Sequence, residues 1–222
     1  MLSLVLMTAL ALPAMPGGAL PAQDASPRTR GLSADAPVSV HPGPAQESAS
    51  TAAAPQAWSL GTLEIGVLGG YATGTVYDPP RTSTGFAQVL GRLGFHFGAT
   101  GSGRMRGNFA IVVEGVGIAI DQQPSAAGGG VNLLIRYTWV AGNWRPSLFA
   151  GAGVIFTDEE VPPGETKHNF SPQGGIGLAY MIAPAWSLGG EYRFHHLSNK
   201  GATETNPGIN SHLVLFGVSW FR

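Results

Sequence analysis

From Trp186 to Ser198 the side chains alternate so strictly that an extended strand is the conformation that sorts them. Trp186, Leu188, Gly190, Tyr192 and Phe194 share one face, and Ser187, Gly189, Glu191, Arg193 and His195 share the other. A strand that is apolar on one side and charged on the other keeps its charged side in water or in a polar lumen. The apolar row runs on into His196 and Ser198, where the pattern asks for hydrocarbon. Polar groups that cost free energy to hold against lipid are functional candidates.

From Trp58 onward the same texture recurs. Eight strands are predicted, over about 59–71, 86–97, 104–119, 131–140, 144–156, 172–182, 185–198 and 210–221. No run reaches the roughly 18 apolar residues of a membrane helix, but each supplies the roughly 9 to 11 of a tilted membrane strand. The expected fold class is therefore all-β: an eight-stranded antiparallel up-and-down transmembrane β-barrel over 58–222. The connections 98–103, 141–143 and 183–184 are tight, whereas 72–85, 120–130, 157–171 and 199–209 are long. Outer-membrane barrels place short turns on the periplasmic side and long loops outside. Trp58, Trp139, Trp144, Trp186 and Trp220 all fall at the short-turn rim, as an interfacial aromatic belt would. In the opposite phase Glu64, Arg92, Arg106, Glu114, Arg136, Glu191 and Arg193 are expected to form an ion-pair network in a packed polar lumen. Leu90, Val112 and Phe149 share that lumenal phase, and a soluble barrel or sandwich alternates similarly. The aromatic rim and the leader described next favour the membrane.

Residues 1–22 read as a signal peptide: an apolar run to Leu12, then Pro and Gly, then small residues, with cleavage expected after Ala19 or Ala22. The first basic residue is Arg28, so the basic start of such a leader is missing and the true start is expected upstream. Residues 23–57, rich in Ala, Pro and Ser, read as a disordered linker. With 11% charged residues and a net charge of -1 there is no basic patch for nucleic acid. Zero cysteines exclude a thiol nucleophile, a Cys-ligated zinc and disulfides. No G-x-G-x-x-G, G-x-S-x-G or H-E-x-x-H pattern occurs, and neither a metal nor a cofactor is expected.

His196 and Ser198 lie two residues apart on one face, roughly 6.6 Å from the strand rise, within reach of imidazole for hydroxyl. That is a nucleophile with its base. Such a pair needs a group to orient the imidazole and donors for an oxyanion. If the last two strands pair through 199–209, Asn210 returns beside His196 on the outer face. Ser-Asn followed by Gly is also an ordinary loop start. His195, beside Glu191 and Arg193 in the lumenal phase, reads as structural, and His96 and His212 have no motif support.

The stretch Tyr192-Arg-Phe-His-His-Leu-Ser-Asn-Lys-Gly201, followed by Asn206-Pro-Gly-Ile-Asn210 and an apolar last strand, resembles the lipid A 3-O-deacylase (PagL) family and the wider acyloxyacyl hydrolases. The motif covers 192–222 and the fold likeness 58–222. The resemblance implies an outer-membrane barrel of a Gram-negative bacterium that hydrolyses the 3-position ester of lipid A at a Ser-His-acid site on its lipid-facing wall. Carried over, Ser198 is the nucleophile, His196 the base, and Asn199 (side-chain amide) and Gly201 (backbone N–H) the oxyanion donors. Asn210 stands where the family has an acid, with Glu204 as a substitute acid in the same loop. The expected partners are lipid A within lipopolysaccharide and the surrounding outer-membrane lipids, with dimerisation left open. Two other readings stand beside this one: a non-enzymatic structural or adhesion barrel acting through its loops, and an acyltransferase, which would need a lumenal acyl pocket.

Overall fold

The computed structural model describes residues 58–76, 83–201 and 208–222. The expected leader, the expected linker and Glu204 lie outside the described residues. Eight strands follow in order: β1 (Leu63–Val76), β2 (Ser83–Thr100), β3 (Gly107–Asp121), β4 (Ala126–Trp139), β5 (Trp144–Thr157), β6 (His168–Ala183), β7 (Trp186–Leu197) and β8 (Ile209–Phe221). Each pairs antiparallel with its sequence neighbour, and β1 pairs with β8 to close the barrel. Closure leaves no unpaired strand edge, the condition for a sheet to sit in hydrocarbon.

Most strands run further toward the long-loop end than side-chain alternation alone predicted. The expected loop 120–130 shrinks to 122–125, and Gly128-Gly129-Gly130 lies inside β4 rather than in a turn. Backbone pairing needs no side-chain pattern, so a glycine run beside a regular partner strand continues the ladder unseen by hydropathy.

The outer face is the apolar row expected. In β8, Phe216 is 69% exposed, whereas Leu213 and Leu215 are fully buried. Trp139, Trp144, Trp186 and Trp220 sit near the short-turn rim, where Trp144 packs against Tyr180 and Trp139 against Tyr137. Trp58 departs from the belt. It turns inward, stacks on Phe221, lies under the Arg145 guanidinium and bonds Asn108 through its backbone. Preceding β1, it is free of strand phase and closes the lumen instead.

The lumen has two layers, not the single polar core expected. In one, Arg92 and Arg193 each bridge Glu114 and Glu191, with N···O distances of 2.6 to 2.8 Å, while Arg136 pairs with Glu64. Arg106 is not part of it. It ends the 3-10 turn Gly103–Met105 ahead of β3 and is exposed. The other layer is apolar and includes Phe86, Leu90, Ile155, Leu197, Ile209, Leu213 and Leu215, roofed by Val161 from the connection after β5. Alternation missed this plug because its strands are apolar on both faces, as Leu213-Val214-Leu215-Phe216 shows. Eight strands enclose little more room than side chains need, and a cavity of about 50 Å³ remains beside Glu64, Arg92 and Arg136.

Candidate active site

The plug positions the site. Leu197 and Ile209 are register partners on β7 and β8, and both are buried in the apolar layer. Anchoring those two inward turns their neighbours outward by strand alternation, so His196, Ser198 and Asn210 are half-buried on the outer wall. His196 and Asn210 are directly opposed, with Nδ1 of the imidazole 2.5 Å from Oδ1 of the amide. A carboxamide oxygen only accepts, so Nδ1 carries the proton and donates it. Neutral His196 then keeps the Nε2 lone pair, the tautomer a general base requires.

Two further contacts hold the pair. Gly208, at φ +61, lies against the imidazole so closely that a Cβ there would stand 2.8 Å from Cε1. This is one place where the fold requires glycine: an L side chain would meet both the strained backbone and the ring. Ser198 is fixed by its backbone, which donates to Phe170 O at 3.0 Å and accepts from Phe170 N at 2.8 Å, tying it to β6. Among the described residues the Ser198 hydroxyl and His196 Nε2 have no hydrogen-bond partner, and none joins the two.

The expected oxyanion donors are arranged differently from expectation. The Asn199 amide donates to Glu165 Oε2 at 2.7 Å, and the Gly201 N–H donates to Asn199 Oδ1 at 2.9 Å. The second bond is an Asx-turn, the local geometry that Asn readily supplies where a strand ends. Lys200 at φ 57 and Gly201 at φ 79 complete it. Both expected donors are thus engaged in this state, the Asn199 amide by Glu165 and the Gly201 N–H within the turn. Glu165 was not foreseen, because it comes from a loop 34 residues away and carries no motif. Gly208 was not singled out either, although a Pro-Gly dipeptide before the last strand is the signal that marks it.

Beneath the site lies a second Ser-His cluster. His195 faces inward, with Nε2 2.5 Å from Ser171 Oγ on β6 and Nδ1 3.2 Å from Ser211 Oγ on β8. Ser211 donates its own proton to His195 O at 3.1 Å. Nδ1–H therefore donates to Ser211, and Ser171 donates to Nε2. All three are buried, so this cluster pins three strands together and has no access to lipid. On the outer wall one step further along, Tyr192 Oη and His212 Nδ1 are 2.6 Å apart, a polar contact sequence reading did not find. Among the described residues no three His, Asp or Glu side chains converge as metal ligands.

Residues 70–219 match the family model described as Lipid A 3-O-deacylase (PagL). No curated protein matches the chain. Among solved structures, that of the outer membrane enzyme PagL aligns at 17% identity and a TM-score of 0.47, over 69% of this chain and 97% of that one. Neisserial surface protein A aligns at 12% identity and a TM-score of 0.50, over 72% of this chain and 98% of that one. The second likeness is one of fold alone.

Proposed function

The chain belongs to the lipid A 3-O-deacylase (PagL) family, and from that membership we propose that it removes the 3-position acyl chain of lipid A by an acyl-enzyme mechanism on its outer wall. It is an outer-membrane β-barrel hydrolase acting on lipid A. The observation that carries the mechanistic reading is the 2.5 Å contact between His196 Nδ1 and Asn210 Oδ1. It leaves the basic nitrogen available on the face where Ser198 stands. Lipid A in the outer leaflet brings its ester against this wall, and His196 Nε2 takes the Ser198 proton as the hydroxyl oxygen attacks the carbonyl. The tetrahedral intermediate collapses, the sugar hydroxyl leaves with the proton from His196, and water activated by the same nitrogen releases the fatty acid. The Asn199 amide and Gly201 N–H serve the oxyanion once Glu165 releases the first and the Asx-turn the second. The acyl chain rests along the apolar outer wall. Among the described residues the lumen is occupied by an ion-pair layer and an apolar plug, which disfavours the acyltransferase reading.

The test is mass spectrometry of lipid A from Gram-negative cells making the protein. Loss of one ester-linked hydroxyacyl chain supports the reading, and an unchanged profile at full outer-membrane abundance leaves the structural or adhesion barrel in front.

Asn210 orients the imidazole but lacks the charge to stabilise imidazolium. Asn210→Asp, which keeps the shape and adds that charge, is expected to raise kcat about tenfold, while Asn210→Leu lowers it about 100-fold. Initial rates of fatty-acid release would decide, and equal rates for the two variants would remove Asn210 from the mechanism. Gly208→Ala pushes a methyl into the His196 ring. A kcat loss of about tenfold in a folded barrel is expected, with a shift of the His196 imidazole resonances by NMR.

A further inference from the structure

Lys200 has the backbone of a residue kept for a purpose. Its φ of 57 makes it the one non-glycine with positive φ among the described residues. An L side chain is strained in that conformation, which glycine adopts freely. Strain of this kind, two residues from a nucleophile, is a pointer to function.

The surroundings say which. Lys200 lines a groove of about 220 Å³ on the wall beside Ser198, with Val154, Phe156 and Phe170 among its apolar members and His168, Asn169 and Asn199 among its polar ones. The ammonium lies 3.8 Å from the centroid of the Phe170 ring, and Phe170 is the residue whose backbone holds Ser198. Among the described residues Lys200 has no ion-pair partner, and it is exposed. The site thus sets an unpaired cation, held over an aromatic face, next to the reacting hydroxyl and at the membrane rim.

Lipid A is a phosphorylated glucosamine disaccharide, so an anionic phosphate lies within about one sugar ring of the ester that Ser198 would attack. We propose that Lys200 is a specificity-determining residue that binds a sugar phosphate of the lipid A headgroup and so places the ester over Ser198; the inference rests on lipid A being the ligand. A point charge on a flexible stem suits a phosphate whose position varies with the acylation pattern. The side chain lies along the groove, with its ammonium over the Phe170 ring.

The test measures binding in a Ser198→Ala background, which uncouples it from hydrolysis. Lipid A and the same lipid A stripped of phosphate by a phosphatase are each titrated against the full barrel in detergent micelles. About tenfold tighter binding of the phosphorylated form is expected, one charge-assisted contact. Added Lys200→Gln should abolish that ratio and Lys200→Arg should keep most of it. Lys200→Gly, which removes the charge while relieving the backbone, should lose the ratio as fully as glutamine does. Discrimination retained by Lys200→Gln or Lys200→Gly overturns the proposal. So does equal binding of the two lipids before Lys200 is changed. Should wild type leave lipid A intact in the mass-spectrometric test while phosphate-dependent binding persists, the catalytic reading fails and this one stands.

Discussion

Ser198→Ala is expected to give a barrel that folds and inserts like the wild type yet deacylates lipid A slower by on the order of 10⁴-fold or more. The size of the loss follows from what the hydroxyl does. Without it no acyl-enzyme forms, and what remains is whatever the site contributes by binding ester and water. The fold has little stake in the oxygen, because the hydroxyl has no hydrogen-bond partner among the described residues and Ser198 is held through its backbone bonds to Phe170. Heat-modifiable gel migration would report the folded barrel, and mass spectrometry of lipid A the activity. Unaltered deacylation by the alanine variant would move the nucleophile elsewhere. His196→Gln should fall nearly as far, and the double variant no further than either alone, since the two act as one unit.

Arg193→Met should cost the fold what Ser198→Ala costs the reaction. Arg193 is fully buried and bridges Glu114 and Glu191, and it also donates to Gln173. Replacing it with a chain of similar length leaves two buried carboxylates with Arg92 as their remaining shared cation. Breaking a buried ion pair from one side costs about 3–5 kcal/mol, because the surviving charge stays desolvated. Urea unfolding of the barrel in lipid vesicles should show that loss as a lower midpoint. Pairing it with Glu114→Gln should recover much of the stability, since the charge stranded by the first change is then gone. A single variant as stable as wild type would mean that water reaches this layer and screens it.

Much of the site was legible along the chain because strand geometry is periodic. A period of two assigns His196, Ser198 and Asn210 to the outer face and His195 to the inner one, and the structure keeps them there. Wherever both faces of a strand are apolar, or neither carries a side chain, that signal vanishes. The apolar plug and the glycine run in β4 were invisible for this reason. Contacts made by loops have no period at all: nothing near Glu165 announces that it will meet Asn199, and Trp58, outside every strand, went to the lumen rather than the belt.

The sequence by itself determined the barrel, its strand count, the lipid-facing set, most of the charged lumenal residues, and the candidate nucleophile and base, since each follows from local alternation imposed by a backbone that must bond to its neighbours. Tertiary structure alone decided the rest. Register set Asn210 against Nδ1 of His196, and packing of Leu197 and Ile209 into the plug fixed the outward aim of the residues beside them. Glu165, from a distant loop, took up the Asn199 amide, and the pairing with β6 brought Phe170 under Lys200. These are distances between segments far apart in the chain, and a distance of that kind exists only after the whole sheet has closed on itself.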